Sequence, residues 1–482
     1  MAYRYGDRCQ MTLLPQSIEE YIPQNDPVRA YDVFVEALDF KELGIEIDPN
    51  KVGNSQYDPK TMLKLFVYGY SYGIKSSRKL ERQTYHNMSF IWLMGGLKPD
   101  HKTIAEFRRN NKKAIQKVLK QCARMCIKLD LIAGNVLFVD GTKIRANASC
   151  SRTHEKAWYE ERLKDIDRRI EQLVQECEAV DQHEQHLSSF VAMDKELAKA
   201  SKLKSTIQDV LAEFKETDRK KINQTDPDCA NMRSSHGKHA SYNVQSVVDD
   251  KNALILHAEA VDDACDVNQF ARQIEQAHEV LDKPCKTACA DAGYADTDEL
   301  EKIDVKGIKV IVPSQRQALH EGAKPFGKQA FSYDKEHDCY YCPKGHRLKL
   351  SSIYKKTGNR YYMITDKQLC YSCQNWGRCT TGKSGRRLVR LHNEAIKEKL
   401  EAQYEQTESQ KIYAKRKARV EHPFGHIKKN LKTDAFLMRG RDGVQAETSL
   451  LATCFNMARM ITIMGVSGLI QKLSTTTALA TG

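Results

Sequence analysis

Val136-Leu137-Phe138-Val139-Asp140-Gly141 is the stretch at which the chain changes texture. A short apolar run ends in an acid and a glycine, the pattern of a buried strand carrying a carboxylate at its C-terminal end. Lys286-Thr287-Ala288-Cys289-Ala290 repeats it, running into Asp291-Ala292-Gly293-Tyr294. Between them, Tyr242 to Val248 and Ala253 to Val261 flank Asp249-Asp250-Lys251-Asn252, which reads as a hairpin. Val267 to Leu281 and Glu299 to Ile303 have helical spacing, and Ile308 to Pro313 is a further strand. Strand, long helical excursion, two strands, helix, strand, helix, strand predicts a mixed α/β sheet with flanking helices and inserts.

Upstream, residues 1–130 read as an all-helical N-terminal domain. Ser17 with Glu20 and Thr103 with Glu106 have capping-box spacing, and Asp26-Pro27 and Asp58-Pro59 are an N-cap followed by proline at the first helical position. Short helices, polar turns and the basic run Ser76 to Arg82 suit a helix-turn-helix type of DNA binder, with Arg78 and Arg108 as candidate phosphate contacts. Residues 131–154 begin the α/β domain. Residues 155–235 form a helical-hairpin or coiled-coil insertion and loop, its turn near Val180-Asp181-Gln182, and 236–314 resume the α/β domain. Residues 315–395 are a cysteine-rich module, 396–470 supply C-terminal helices, and 471–482 read as a flexible tail.

The 482 residues carry 76 Lys+Arg against 63 Asp+Glu, a net charge of +13, with 41% hydrophobic and 29% charged residues. That composition excludes a membrane-embedded or mostly disordered chain. The apolar tract Leu450 to Ile470 is broken by Asn456 and Arg459, and Arg4, Asp7 and Arg8 stand where an export signal needs an apolar core. A cytoplasmic protein is expected. Its 15 cysteines are an odd number, which favours reduced thiols and a metal site over disulfides. From Lys411 to Arg441 there are ten Lys/Arg and two acids, the densest basic run in the chain. Within it Glu421 is the only acid between Gln410 and Thr433. An acid isolated among cations makes chemical sense if it binds a metal whose substrate is a phosphate backbone held by those cations. Asp140, Asp291 and Glu421 are therefore candidate ligands for two Mg²⁺ (or Mn²⁺) ions, hard cations that need only one or two carboxylates each. The same acids also suit turn caps and an i,i+4 ion pair.

At these residues the chain resembles the DDE transposases of bacterial insertion sequences, which have an RNase H-like catalytic fold. Tyr57-Asp58-Pro59-Lys60, Tyr68 to Gly73, Ser76-Ser77-Arg78 and Pro99 to Ile104 are similar to their N-terminal helical domain. Phe138 to Lys143, Ala290 to Tyr294 and Val420 to Lys428 are similar to the three acid motifs. Glu421 and Lys428 match the E-x6-K half of a Y-x2-R-x3-E-x6-K signature. Tyr413 and Arg416 supply Y-x2-R one residue too far from Glu421, and Ala414 and Lys417 occupy the expected register. The resemblance implies a catalytic triad of Asp140, Asp291 and Glu421, metal-dependent cleavage at the ends of a mobile element, and direct strand transfer by the exposed 3′-hydroxyls. It implies double-stranded DNA as partner and a dimer or larger assembly to pair two ends. Lys143, Arg145, Arg416, Lys417, Arg419 and Lys428 join Arg78 and Arg108 as DNA-binding candidates. Alternatives are a related nuclease without strand transfer and a non-catalytic DNA-binding protein derived from a transposase.

Cys339-Tyr340-Tyr341-Cys342 and Cys370-Tyr371-Ser372-Cys373 are paired C-x2-C knuckles with 27 residues between them. Cys339, Cys342, Cys370 and Cys373 read as a structural zinc site in a zinc-ribbon-like insertion, with Cys379 and His346 as spare ligands. Arg386, Arg387 and Arg390 are candidates for DNA contact from the same module.

Overall fold

A computed structural model describes residues 17–47, 56–181, 187–234, 237–319 and 325–480. Its centre is the strand Val136–Arg145 of a six-stranded mixed sheet. On one side this strand pairs antiparallel with Gly237–Asp249, Leu137 opposite Asp249 and Arg145 opposite Ser241. On the other it pairs parallel with Thr287–Cys289, which pairs parallel with Lys309–Ile311. Ile255–Val261 closes the expected hairpin, and Ala230–Ser234 pairs with the start of Gly237–Asp249.

The sequence pattern ends the central strand at Asp140, but the strand continues to Arg145. Gly141 to Arg145 keep their antiparallel partners, Gln245 to Ser241. The parallel neighbour instead turns off after Cys289 into the 3-10 turn Ala292–Tyr294. Asp140 thus stands where two adjacent parallel strands part, the kind of crevice in which open α/β sheets place ligands.

Beneath the sheet lies the helix Arg441–Met464, buried at almost every position from Gly443 to Met457. Asn456 Oδ1 accepts from Ile255 N at 2.9 Å and its Nδ2 donates to Ile255 O at 2.8 Å. Gln445 does the same three turns earlier, accepting from Ala260 N and donating to Ala258 O, both at 2.9 Å. The two amides satisfy backbone groups along Ile255–Val261 that no strand pairs on that side.

The N-terminal helices pack on the same helix. Cys454 Sγ donates to Val67 O at 3.3 Å, and Cys126 lies 3.5 Å from the Met460 sulfur. One core therefore runs from Ile22 to Leu473, and the domain boundary expected at residue 130 marks no break in packing. Asp26 and Asp58 cap the helices Pro27–Glu36 and Pro59–Ser71 as expected. The helical stretch behind the Thr103–Glu106 spacing is two helices, His101–Asn110 and Lys112–Lys128, and Asp100 rather than Thr103 caps the first. The tail expected to be flexible from 471 belongs to a helix, Val466–Ala480, anchored by buried Leu469 and Leu473.

Two long helices, Lys156–Asp181 and Leu187–Glu216, pack on each other around a small core of Tyr159, Ile166, Ile207, Val210 and Ile222. Part of the turn expected between them, at Gln182, lies outside the described residues. Residues 325–390 contain a separate five-stranded antiparallel sheet over a core of six buried residues. No single helix among the described residues is long and apolar enough to cross a membrane.

Replacing Asn456 by Leu keeps the volume and strips both partners from buried Ile255. Each orphaned group costs about 1–3 kcal/mol. A urea-unfolding series should show a loss of that order, while Thr462→Ala on the exposed side of the same helix changes stability by less than about 0.5 kcal/mol.

Candidate active site

The parallel register decides the placement of the first two acids. Val136 faces Thr287 and Phe138 faces Cys289, so the same register carried two residues further sets Asp140 level with Asp291. Asp140 is largely buried, its side chain 18% exposed. Asp291 caps the turn after its strand, Oδ1 accepting from Gly293 N at 2.8 Å.

A cation stands between them. Arg416 Nη1 lies 3.3 Å from Asp140 Oδ1, and its Nη2 lies 3.7 Å from Asp291 Oδ2. Arg416 comes from the helix Thr407–Lys429, whose sheet-facing stripe is Tyr413, Arg416, Val420, Phe424 and Ile427. Val420 packs on Phe138, Cys289 and Ile311 directly below the acids. Burial pushes the Asp140 carboxyl up to about 6, with Arg416 pulling it down and Asp291 pushing it further up. Burial works against the Arg416 charge, and Asp140 and Asp291 more than offset it. Lys428, three turns along the helix, reaches Thr142, two residues beyond Asp140 on the same side of the strand.

Glu421 is not brought to this pair. Its side chain is 63% exposed and lies 4.0 Å from Lys417. The reason is helical phase. Five residues separate Arg416 from Glu421, about 140° around an α-helix, whereas the four-residue spacing of the transposase signature gives about 40°. The one-residue discrepancy in the sequence therefore has a structural consequence: Arg416 and Glu421 point away from a common face. Among the described residues no three or more His, Cys, Asp or Glu side chains are arranged to hold a metal ion.

The basic candidates divide. Arg145 is exposed and borders a groove of about 600 Å³ that Arg152, His239 and Arg439 also line. Lys417 and Arg78 are exposed. Lys143 donates to Arg233 O at 3.0 Å. Arg419 pairs with Asp250 at 3.1 Å, as does Lys415. Arg108 corrects its sequence-based assignment: it is 8% exposed, donates to Lys75 O at 2.8 Å and to the Tyr70 hydroxyl, and stacks on Phe66. It serves the helical core. In the cysteine module, Arg386 is likewise spent on Cys379 O and Phe326 O, and Arg390 on the Tyr340 hydroxyl.

Sequence reasoning missed Asp266. Its Oδ1 accepts from Asn243 Nδ2 and Gln245 Nε2, both at 2.7 Å, and Gln245 in turn accepts from the buried Tyr294 hydroxyl. A Cβ at Gly141 would lie 2.8 Å from Asp266 Oδ1, and one at Gly293 would lie 2.9 Å from Asp291 Oδ1 and 3.6 Å from Asp266 Oδ2. The glycines that follow the two acids thus leave room for a third carboxylate behind the strand. The available signal was the acidic loop Asp262-Asp263-Ala264-Cys265-Asp266 after a strand.

The zinc expectation also needs correction. Cys342, Cys370, Cys373 and Cys379 line one cavity, and Cys339 does not. Cys339 lies on the strand Cys339–Tyr341, and alternation along that strand puts it opposite Tyr340 and Cys342.

Residues 16–110 match a transposase domain (DUF772), and residues 341–461 match a transposase DDE domain. These two matches support assignment of the chain to the transposases. More specifically, they support a DDE transposase of the insertion-sequence type. Glu421, Arg416 and the cysteines from Cys342 onward lie inside the second match, while Asp140 and Asp291 lie outside both. No curated protein matches. Among solved structures, the synaptic complex of piggyBac transposase with hairpin DNA aligns over 94% of this chain and 79% of its own, at 7% identity and a TM-score of 0.33, too low to carry an argument.

The raised Asp140 carboxyl has a consequence for stability. The folded chain holds this proton up to about pH 6, and the unfolded chain releases it near the ordinary value of 3.8. Its contribution to stability is full below that lower value and is lost as pH rises through about 6. Asp140→Asn should therefore stabilise the metal-free protein at pH 7.5 by on the order of 1–3 kcal/mol, the gain shrinking between pH 6 and pH 4. Denaturant unfolding at several pH values measures it.

Proposed function

We propose that this transposase acts on the DNA ends of its own element by metal-dependent strand cleavage followed by strand transfer, with Asp140 and Asp291 as the core of the site. The observation that carries the reading is the Arg416 guanidinium held between the two carboxylates. Two acids fixed side by side around a cation fit a divalent ion, and Mg²⁺ commonly takes one or two protein carboxylates and completes its shell with water and phosphate. Divalent ions bound there would activate the attacking oxygen and stabilise the leaving one. Strand order supports an RNase H-like core: Val136–Arg145 lies between an antiparallel arm built on Gly237–Asp249, with Ile255–Val261 and the short Ala230–Ser234, and two parallel strands on its other side.

Each residue then has a task. Asp140 and Asp291 would hold the metal. Glu421 is the third acid of the triad, carried by the helix that also bears Arg416. Arg416 neutralises phosphate oxygens near the scissile bond, and Lys428 lies along the same path. The groove bordered by Arg145, Arg152, His239 and Arg439 carries the flanking backbone, with Lys143 at its side. Lys417 and Arg78 meet DNA outside the cleft. Two copies pair the two element ends, and the work is done in the cytoplasm, where the element's DNA lies.

A labelled duplex carrying the element's end, incubated with the full chain and Mg²⁺ or Mn²⁺, tests this. Cleavage should fall to background in Asp140→Asn, Asp291→Asn and Glu421→Gln, and about 10–100-fold in Arg416→Ala. Joined product with target DNA distinguishes the transposase from a nuclease. Specific binding without metal-dependent cleavage by the wild type would overturn the catalytic reading in favour of a DNA-binding relic. If Glu421→Gln cleaves normally and Asp266→Asn does not, the third acid is Asp266. Lys428→Ala should weaken binding to all duplexes alike and lower the salt-dependence slope by about 1.

A further inference from the structure

We infer that Cys342, Cys370, Cys373 and Cys379 form a four-thiolate zinc site that staples the module at residues 325–395. The inference is independent of the DNA chemistry above.

All four residues line one cavity of about 30 Å³. Organic ligands occupy pockets of roughly 300–1,000 Å³. A space of this size, with four cysteines and His346 on its wall and Phe326, Ile364, Leu369 and Trp376 closing the rest, suits a single ion. All four cysteines are free, so no disulfide consumes them.

The backbone around each cysteine is built to present it. At Cys342, the chain reverses through Pro343 and Lys344: Gly345 N donates to Cys342 O at 2.8 Å and Cys342 N to His346 O at 2.9 Å. Gly345 has φ +80°, which the reversal requires and a side chain would resist. Cys370 and Cys373 sit at the end of the short helix Gln368–Tyr371, with Cys373 N donating to Cys370 O at 3.2 Å. Cys379 N donates to Asn375 O at 2.7 Å. Two sulfurs already accept backbone N–H groups, Cys370 from Arg386 at 3.4 Å and Cys373 from Asn375 at 3.5 Å. N–H groups aimed at sulfur are the outer contacts that orient a metal-bound ligand. Arg386 Nη1 donates to Cys379 O at 2.8 Å and fixes the last ligand's loop.

Soft thiolates select zinc among abundant divalent ions, and four of them close the coordination sphere, the mark of a structural site. The module has reason to need one. Its own core is six buried residues, Phe331, Tyr340, Leu348, Tyr362, Ile364 and Leu388, and small scaffolds with so little core are held by metals or disulfides. Cys342, Cys370 and Cys379 pack against that core, so a bound ion would extend it. The thiols are not yet at ligand spacing, since no three ligating side chains among the described residues are arranged to hold an ion. Binding must draw the Cys342 turn and the Cys370–Cys379 segment together.

The test uses the reduced full-length chain, purified without chelator. Elemental analysis should find one zinc per chain. Replacement by Co²⁺ should give the visible bands of a tetrahedral site and a sulfur-to-cobalt charge-transfer band, which an ion held by oxygen ligands at Asp140 and Asp291 cannot produce. Cys379→Ser should lower that band by about a quarter or abolish it, and Cys339→Ser should leave it unchanged. A wild-type chain that takes up neither zinc nor cobalt through sulfur overturns the inference. So does a charge-transfer band lost in Cys339→Ser and kept in Cys379→Ser.

Discussion

The helix Arg441–Met464 is enclosed by the parts of the protein it joins, and its few buried polar side chains define how they meet. Gln445 and Asn456 each grip the strand Ile255–Val261 by donating and accepting at once. Glu447 takes the backbone N–H groups of Leu437 and Met438 and lies 3.8 Å from Lys75. The first pair fixes the sheet against the helix. The third residue fixes the loop that follows the Arg416 helix, and through Lys75 it reaches the N-terminal helices. An amide that both donates and accepts tolerates no slip of register, because a shift of one residue leaves both partners unpaired in a dry interior. The position of the acids is inherited from this constraint: Ile255–Val261 pairs with Gly237–Asp249, which pairs with the strand that carries Asp140.

The site itself works against stability. Two carboxylates side by side repel, and burial makes the repulsion stronger. Arg416 answers it, but at the expense of dehydrating a third charge. Such an arrangement persists only because the surrounding packing fixes it, with Val420 and Phe138 below and the strand pairing on either side. A ligand with its own positive charge and its own phosphate, as proposed above, would relieve both parts of the strain at once, neutralising the carboxylates and offering the guanidinium a new anion. The same reasoning explains why the helix is so basic yet contributes only one arginine to the pair. Lys415 and Arg419 are turned to Asp250, and Lys417 to solvent.

Much of this was legible in the sequence. The alternation of apolar runs and acid-glycine endings located the central strands, the hairpin and the first two acids. The proline-headed helices were read correctly because Asp-Pro carries its own capping chemistry. What was not legible depended on three-dimensional partners. Asp140 looked like a strand end because the apolar run stops there, but pairing with Gln245 to Ser241 extends the strand through polar residues. Arg108 looked like a surface cation because the Arg108-Arg109 pair in the last turn of an amphipathic helix usually is solvated; Lys75 O and Phe66 made Arg108 internal. Cys339 looked like the partner of Cys342 because C-x2-C spacing is ambiguous when the first cysteine lies on a strand; the cavity is lined by Cys379 instead. Asp266 belonged to no motif and entered only through the side chains of Asn243 and Gln245.

The most informative mismatch is the spacing between Arg416 and Glu421. A shared helix makes the two side chains diverge by about 140°, and in the metal-free chain the arginine holds the inner position. Two features bear on how firmly. The arginine is anchored by both carboxylates and by the ring of Tyr413, 5.8 Å away. The glutamate is anchored only by Lys417 at 4.0 Å, in an exposed ion pair of the kind worth less than about 1 kcal/mol. Pro423 stands inside the same helix. It has no N–H to give the carbonyl of Arg419, so the turn that carries Glu421 is the least secured of the helix. Strong contacts therefore hold the residue that is already at the acids, and weak ones hold the residue that is not. That asymmetry is what a site needs if its third carboxylate is to be recruited by substrate and metal rather than stored next to two others of the same charge.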